Sequence, residues 1–221
     1  MSSHAATNEG RLQRAAAGLV GRPVFWVVLV SALFAFPLVR SFLRPLPPER
    51  PMLGELPTFV TAQVAGVNAG QTLSSESLRG KVWVATFIEP TDPDCERLGE
   101  VLEHVQRRSR NLGDAWRMVS FVPGGAEPEV VNAYAQRRHP NALRWFFAAV
   151  PPPIESAVEN AMYRAAVLAP LPGTGASRVH GKHLGVLIDG HGRIRGLYDL
   201  LTPSGENAVL MDMGLLANLN E

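Results

Sequence analysis

Cys95 is the one cysteine among 221 residues, and it lies in the run Glu89-Pro90-Thr91-Asp92-Pro93-Asp94-Cys95-Glu96. A lone thiol forms no disulfide within its own chain, so a two-thiol redox centre and a disulfide scaffold are both excluded. A zinc site built from several cysteines is excluded with them. Asp92 followed by Pro93 reads as a helix start, a carboxylate N-cap with proline at the first helical position. Cys95 then falls in the first turn, where the helix dipole favours a thiolate while Asp92, Asp94 and Glu96 oppose it. The expectation is a weakly activated thiol that packs as a small buried residue. Imidazoles supply the remaining donors. His180 and His183 share the stretch Val179-His180-Gly181-Lys182-His183, a spacing that also suits two exposed loop residues. His191 falls in a turn, and His104 and His139 fall on predicted helices; all three read as solvated.

The elements that must position these groups alternate in type. Val82 to Ile88 (VWVATFI) is a nearly continuous apolar run rich in β-formers, as in a strand covered on both faces. Met118 to Val122 and Leu184 to Ile188 have the same character. Between the first two, Leu98, Val101, Leu102 and Val105 recur at helical spacing, which predicts a helix over Pro93 to Leu112. Asp189-Gly190-His191-Gly192 predicts a hairpin turn, with Arg193 to Tyr198 as the return strand. A last helix is predicted over Glu206 to Asn218, with Val209, Leu210, Met213 and Leu216 inward. Strand, helix, strand and helix, then a hairpin and a helix, imply an α/β sandwich around a mixed sheet.

Ahead of this domain the composition changes. Val24 to Val39 (VFWVVLVSALFAFPLV) carries no charge, is bracketed by Arg22 and Arg40, and has only Ser31 as a polar break. A buried core helix would show a polar face, so the run reads as a single membrane span with snorkelling arginines. Arginines balance across it, with Arg11, Arg14 and Arg22 before and Arg40, Arg44 and Arg50 after, so charge alone assigns no orientation. Pro45, Pro47, Pro48 and Pro51 then make a stiff, extended leash. The predicted organisation is a tail over 1–23, a span over 24–39, a linker over 40–51 and a domain over 52–221. With a formal net charge of +1, the chain lacks the basic excess of a nucleic-acid binder, and its 46% hydrophobic content is that of a folded protein.

Several stretches carry a family resemblance. Leu56-Pro57-Thr58-Phe59, then Leu78-Arg79-Gly80-Lys81 running into Val82-Trp83-Val84-Ala85-Thr86-Phe87-Ile88, resemble the Sco/SenC family of membrane-tethered thioredoxin-fold proteins. Arg117 to Phe121 followed by Pro128 to Tyr134 is similar too, as are Val186 to Asp189 and Gly192 to Asp199 at the closing hairpin. The resemblance implies a thioredoxin-like domain held outside the membrane, periplasmic in a bacterium, with a cytoplasmic tail. It implies copper as the metal, respiratory oxidase subunits or other assembly factors as partners, and assistance in building the copper centre of cytochrome c oxidase rather than catalysis.

Family members hold copper through two cysteines in a Cys-Pro-x-x-x-Cys-type turn and a histidine before the hairpin, a soft donor set suited to Cu(I). Aligned on Phe87-Ile88, Asp92 stands where the first cysteine would be, and Cys95 lies one residue early for the second. Gly181 takes the histidine position, between His180 and His183; on a strand His183 would be displaced by about 6.5 Å. The residual metal set that the resemblance implies is Cys95 with His180 and His183. Phe121-Val122-Pro123-Gly124-Gly125 replaces the family's acidic Asp-Pro step. The competing expectation is a fold kept as an interaction scaffold after its chemistry was lost. A one-cysteine thiol peroxidase is disfavoured, since the threonine and proline it needs correspond to Asp92 and Ile88.

Overall fold

The computed structural model describes residues 23–42, 52–168 and 183–219. The chain divides into two compact units, Met1–Glu49 and Arg50–Glu221. In the first, helix α1 (Pro23–Phe42) is 20 residues long, about 30 Å at the usual rise. Val24, Val27, Leu33, Phe34 and Phe36 on it are exposed. Among the described residues, no helix is long and apolar enough to cross a membrane.

The second unit is built on strands β1 (Gly54–Glu55), β2 (Val60–Ala65), β3 (Thr72–Ser74), β4 (Val82–Phe87), β5 (Trp116–Val122), β6 (Trp145–Ala149), β7 (Leu184–Ile188) and β8 (Arg193–Asp199). Its helices are α2 (Cys95–Arg108), α3 (Pro128–Arg137), α4 (Pro152–Leu168) and α5 (Pro203–Leu219). The strands lie in the order β1-β8-β7-β4-β5-β6-β2-β3. β4, β5 and β6 run parallel, whereas β7 is antiparallel to β4 and β8 to β7. The sheet is therefore mixed, as the alternation of elements predicted.

Successive side chains on β4 feed opposite faces. Val82 and Val84 join Leu98, Leu102, Met118, Val209 and Met213 in a core beneath α2, α3 and α5. Trp83 and Ala85 join Phe59, Val119, Phe121, Ile154 and Val158 on the other side, under α4. Helices on both faces explain why the central strands read as unbroken apolar runs.

The boundaries shift in informative ways. The helix expected from Pro93 begins at Cys95, and its last part, Ser109–Leu112, tightens into a 3-10 turn. The final helix starts three residues earlier than predicted, at Pro203. Here proline opens the helix, because its missing N–H would have had no partner in the first turn. His139 is not helical: it follows the end of α3 with a positive φ of 45°. The hairpin turn is as predicted. Asp189 accepts from the N–H groups of His191 (2.9 Å) and Arg193 (3.0 Å), and Gly192 takes the left-handed conformation (φ 83°) that the turn requires.

Candidate functional site

The site lies where β4 ends, at the carboxyl edge of the parallel strands, the usual location for ligands in open α/β sheets. The chain leaves the sheet after Ile88, whose N–H still bonds to Phe121 O (2.9 Å), and turns before α2. Asp92 organises the turn. Its N–H donates to Glu89 O (2.8 Å), its carboxylate accepts from Asp94 N–H (2.9 Å), and its carbonyl accepts from Cys95 N–H (3.0 Å). This is an Asx turn rather than the helix N-cap that Asp92-Pro93 predicted. Asp94 occupies the N-cap position, and its side chain makes no capping bond. The reason is local. A carboxylate bonded two residues on cannot also reach the helical N–H groups, and Pro93 contributes no donor of its own.

His183 arrives from the far end of the sequence. β7 pairs antiparallel with β4 in the register Ala85↔Val186 and Val84↔Leu187, so the start of β7 lies beside the end of β4. His183 immediately precedes β7, and its carbonyl accepts from Leu200 N–H (3.2 Å). The imidazole Nε2 stands 3.7 Å from Asp94 Oδ2, and Nδ1 is buried without a hydrogen-bond partner. Asp92, Asp94 and His183 each place a donor atom within 4.8 Å of the others. Arg97 approaches the other oxygen of Asp94 at 3.4 Å.

A cavity of about 160 Å³ adjoins this group. Phe87, Ile88, Leu98, Pro123 and Val150 form its apolar walls, and Glu89, Asp92, Glu155, Cys95 and His183 complete the lining. Cys95 is only 2% exposed. Burial pushes its thiol up from the ordinary value; a hydrogen bond from Tyr134 opposes this, and the Asp92 charge reinforces it. Tyr134 is fully buried on α3 and donates from its hydroxyl to the Cys95 carbonyl (3.2 Å). Burial also pushes the Tyr134 phenol up, and the neighbouring Cys95 adds to the effect. Glu96, expected to oppose a thiolate, is instead engaged by Arg137 (2.7 Å) and Arg138. The sulfur is thus a protonated, enclosed group.

The structure brings Cys95 and His183 to one cavity; His180 lies outside the described residues. His104 is elsewhere, with Nδ1 2.6 Å from a Glu206 oxygen, and His191 is exposed in its turn. Sequence reasoning treated Asp94 only as a charge against the thiol and passed over Val150 and Glu155. The Asp-Pro-Asp spacing was the available signal for two carboxylates converging on a histidine. Nothing local marks Glu155, which depends on where α4 docks.

The fold and the position of the cavity define a thioredoxin-like α/β domain. No family model matches the sequence, and no curated protein is similar to it. Solved structures are similar in fold. A SCO1/SenC family lipoprotein from Bacillus anthracis superposes with a TM-score of 0.55 at 20% identity, over 76% of this chain and 97% of that one. BsSco, a member of the Sco family of cytochrome c oxidase assembly proteins, matches with a TM-score of 0.56 at 18% identity, over 77% and 98%. Copper-bound ScoI from Bradyrhizobium japonicum matches with a TM-score of 0.50 at 18% identity, over 73% and 99%. At these identities the likeness establishes the fold.

The donor set can be tested against copper. Cu(I) is held best by soft sulfur ligands. This chain has one cysteine, enclosed and with its thiol pushed up, beside two carboxylates and an imidazole. Those residues do not fit a two-thiolate Cu(I) site.

Proposed function

We propose that the chain is a membrane-tethered, Sco-like protein that assists assembly of a respiratory cytochrome c oxidase, with its copper chemistry altered from that of a two-cysteine site. The observation that carries this reading is the match of the whole domain to BsSco, which covers 98% of that assembly protein. The resemblance of the strand and hairpin sequences supports it. Helix α1 supports a tether through its exposed apolar side chains and its uncharged run between Arg22 and Arg40. Under this reading the domain over 52–221 lies on the periplasmic side, the proline-rich linker over 40–51 spaces it from the bilayer, and the tail is cytoplasmic.

Burial of Cys95 also favours a division of labour in which contact with a partner outlasts the thiol chemistry. The test is affinity purification of the full chain from detergent-solubilised membranes of its own host, alongside measurement of oxidase activity in a deletion strain. Co-purification of oxidase subunits or copper-assembly factors, with reduced oxidase activity on deletion, is the expected result. Normal activity in the deletion strain under low copper, together with no such partner, would refute the assembly role.

A further inference from the structure

We infer that the seam between the end of α2 and α5 is a docking groove for a segment of a partner protein that presents an acidic side chain beside a large apolar one. The inference goes beyond the assembly reading, and the groove shares no residue with the cavity at the end of β4.

The first argument is shape. A groove of about 350 Å³ lies between the 3-10 turn Ser109–Leu112 and α5. Leu112, Leu210 and Met211 supply its apolar walls. Met211 is 59% exposed, and its unbranched side chain can repack around an incoming group. Gly214 also lines the groove and leaves it open: a Cβ added there meets nothing within 4 Å. Ser109 is only 1% exposed, and its hydroxyl has no hydrogen-bond partner. A buried hydroxyl in that state costs free energy, which an acceptor brought to it recovers.

The second argument is charge. Arg108 lines the groove, and Arg107 and Arg110 lie beside it in the chain; all three are exposed. The Arg108 guanidinium is held in place without being neutralised. Asn207 Nδ2 donates to the Pro203 carbonyl (2.8 Å), which fixes the amide, and Asn207 Oδ1 accepts from Arg108 (2.9 Å). A neutral acceptor thus takes one of the several N–H donors. Arg107 has only Glu103, at 4.0 Å, and Arg110 pairs with no acid among the described residues. The acids of α5 are committed elsewhere, Glu206 to His104 (2.6 Å) and the buried Asp212 to the Tyr198 hydroxyl (2.6 Å). Among the described residues, no carboxylate lines the groove. A positioned, uncompensated guanidinium matches a carboxylate, which it meets through two parallel N–H donors.

Shape then decides between acidic partners. An anionic bilayer presents its headgroups in a plane and is met by an exposed helix face. Here the arginine and the apolar side chains share one concavity, which suits an anchoring side chain that enters with a carboxylate next to it. Nucleic acid is disfavoured by the formal net charge of only +1.

The experiment pans a random-peptide display library against the full chain in neutral detergent. Counter-selection uses Gly214→Phe, which fills the groove from a position where added atoms start clear of neighbours. The expected peptides carry Asp or Glu close to Leu, Met or Phe. The leading one, made synthetically, binds at least about tenfold more weakly to Arg108→Gln and to Gly214→Phe, and more weakly as salt rises. Asn207→Ala keeps every charge but releases the arginine, so it weakens binding too. Arg79→Gln removes an exposed charge elsewhere and leaves binding unchanged. Circular dichroism and thermal melts check that every variant is folded. Peptides without acidic residues, no peptide that separates the parent from Gly214→Phe, or equal binding by Arg108→Gln overturns the inference. Tighter binding of dihexanoylphosphatidylglycerol than of the peptide also overturns it, in favour of a lipid headgroup. None of these outcomes depends on whether oxidase subunits co-purify.

Discussion

Tyr134 joins the helix that carries the thiol to the helix behind it, and removing its hydroxyl isolates that link. The ring is fully buried, in edge contact with Phe147 (centroids 6.3 Å apart) and beneath the Arg138 guanidinium at 5.4 Å. Tyr134→Phe keeps the ring and these packing contacts. It deletes the bond to the Cys95 carbonyl (3.2 Å) and, with the same hydroxyl, the influence that counters the rise of the thiol. The acceptor is a first-turn carbonyl that helical bonding also serves, so the loss is that of one neutral hydrogen bond, about 1 kcal/mol. For a domain of this size the midpoint of thermal unfolding falls by roughly 2–4 °C. The second readout is the thiol itself. Without the Tyr134 hydroxyl, burial and the Asp92 charge act with less opposition, so reaction of the folded chain with a thiol reagent at pH 8 slows further. Thermal melts and reagent kinetics on parent and variant, with Tyr134→Leu as a packing control, make the comparison. A Tyr134→Phe chain as stable as the parent, with an unchanged thiol rate, would show that the hydroxyl does not couple the two helices.

Cys95 in the folded chain is expected to alkylate at least roughly a hundredfold more slowly than in the denatured chain, because reaction requires local opening and the thiol is largely protonated. Its raised value also sets a pH effect: the folded state keeps the proton that the unfolded state releases above 9.0, so stability falls as pH rises from there through the folded value, measurable by denaturant melts. Asp114 is held below its ordinary 3.8 by Lys81 (2.7 Å) and Arg117 (2.8 Å). Its small contribution is present above 3.8 and is lost as pH falls through the folded value; an NMR titration should show its midpoint rise in Lys81→Gln and in high salt. At Gly205 an added Cβ would strike the Asp199 carbonyl oxygen and come within 2.9 Å of Thr202 Oγ1. Gly205→Ala should therefore cost about 2–3 kcal/mol in equilibrium unfolding, despite alanine's better helix propensity.

The legible parts of the fold were those whose burial is written in the chain. β4, β5 and β7 are covered on both faces, so Val82-Trp83-Val84-Ala85, Met118-Val119 and Leu184 to Ile188 appear as apolar runs without competing signals. Leu98, Leu102 and Val105 mark one face of α2 for the same reason. β1 and β3 escaped notice because they are two and three residues long and exist through pairing with β8 and β2. β6 and α4 were missed because Trp145 to Ala149 is short and Pro151-Pro152-Pro153 reads as a break, although proline is well placed to open a helix. In the site, the burial of Cys95 was readable from its type and neighbours. The encounter of His183 with Asp94 was not, because it follows from the β4–β7 register and from an Asx turn that competes with the expected cap.

That competition bears on how a thioredoxin-like scaffold changes its chemistry. The two cores on either side of the sheet involve the loop after β4 only through Ile88 and Cys95, so the residues between them are nearly free of packing constraints. What the loop must retain is a way to turn the chain from the sheet into α2. Asp92 supplies it through its own carboxylate and carbonyl, which bond to the N–H groups of Asp94 and Cys95. An aspartate at this position therefore holds the loop by itself. Cysteine in the same turn would give up the side-chain bond, and asparagine would keep the bond but lose the charge. The turn and the charge are thus separable by a single substitution, and the consequence of Asp92→Asn is to be sought in the Cys95 thiol, which loses one of the charges that push it up, rather than in the turn.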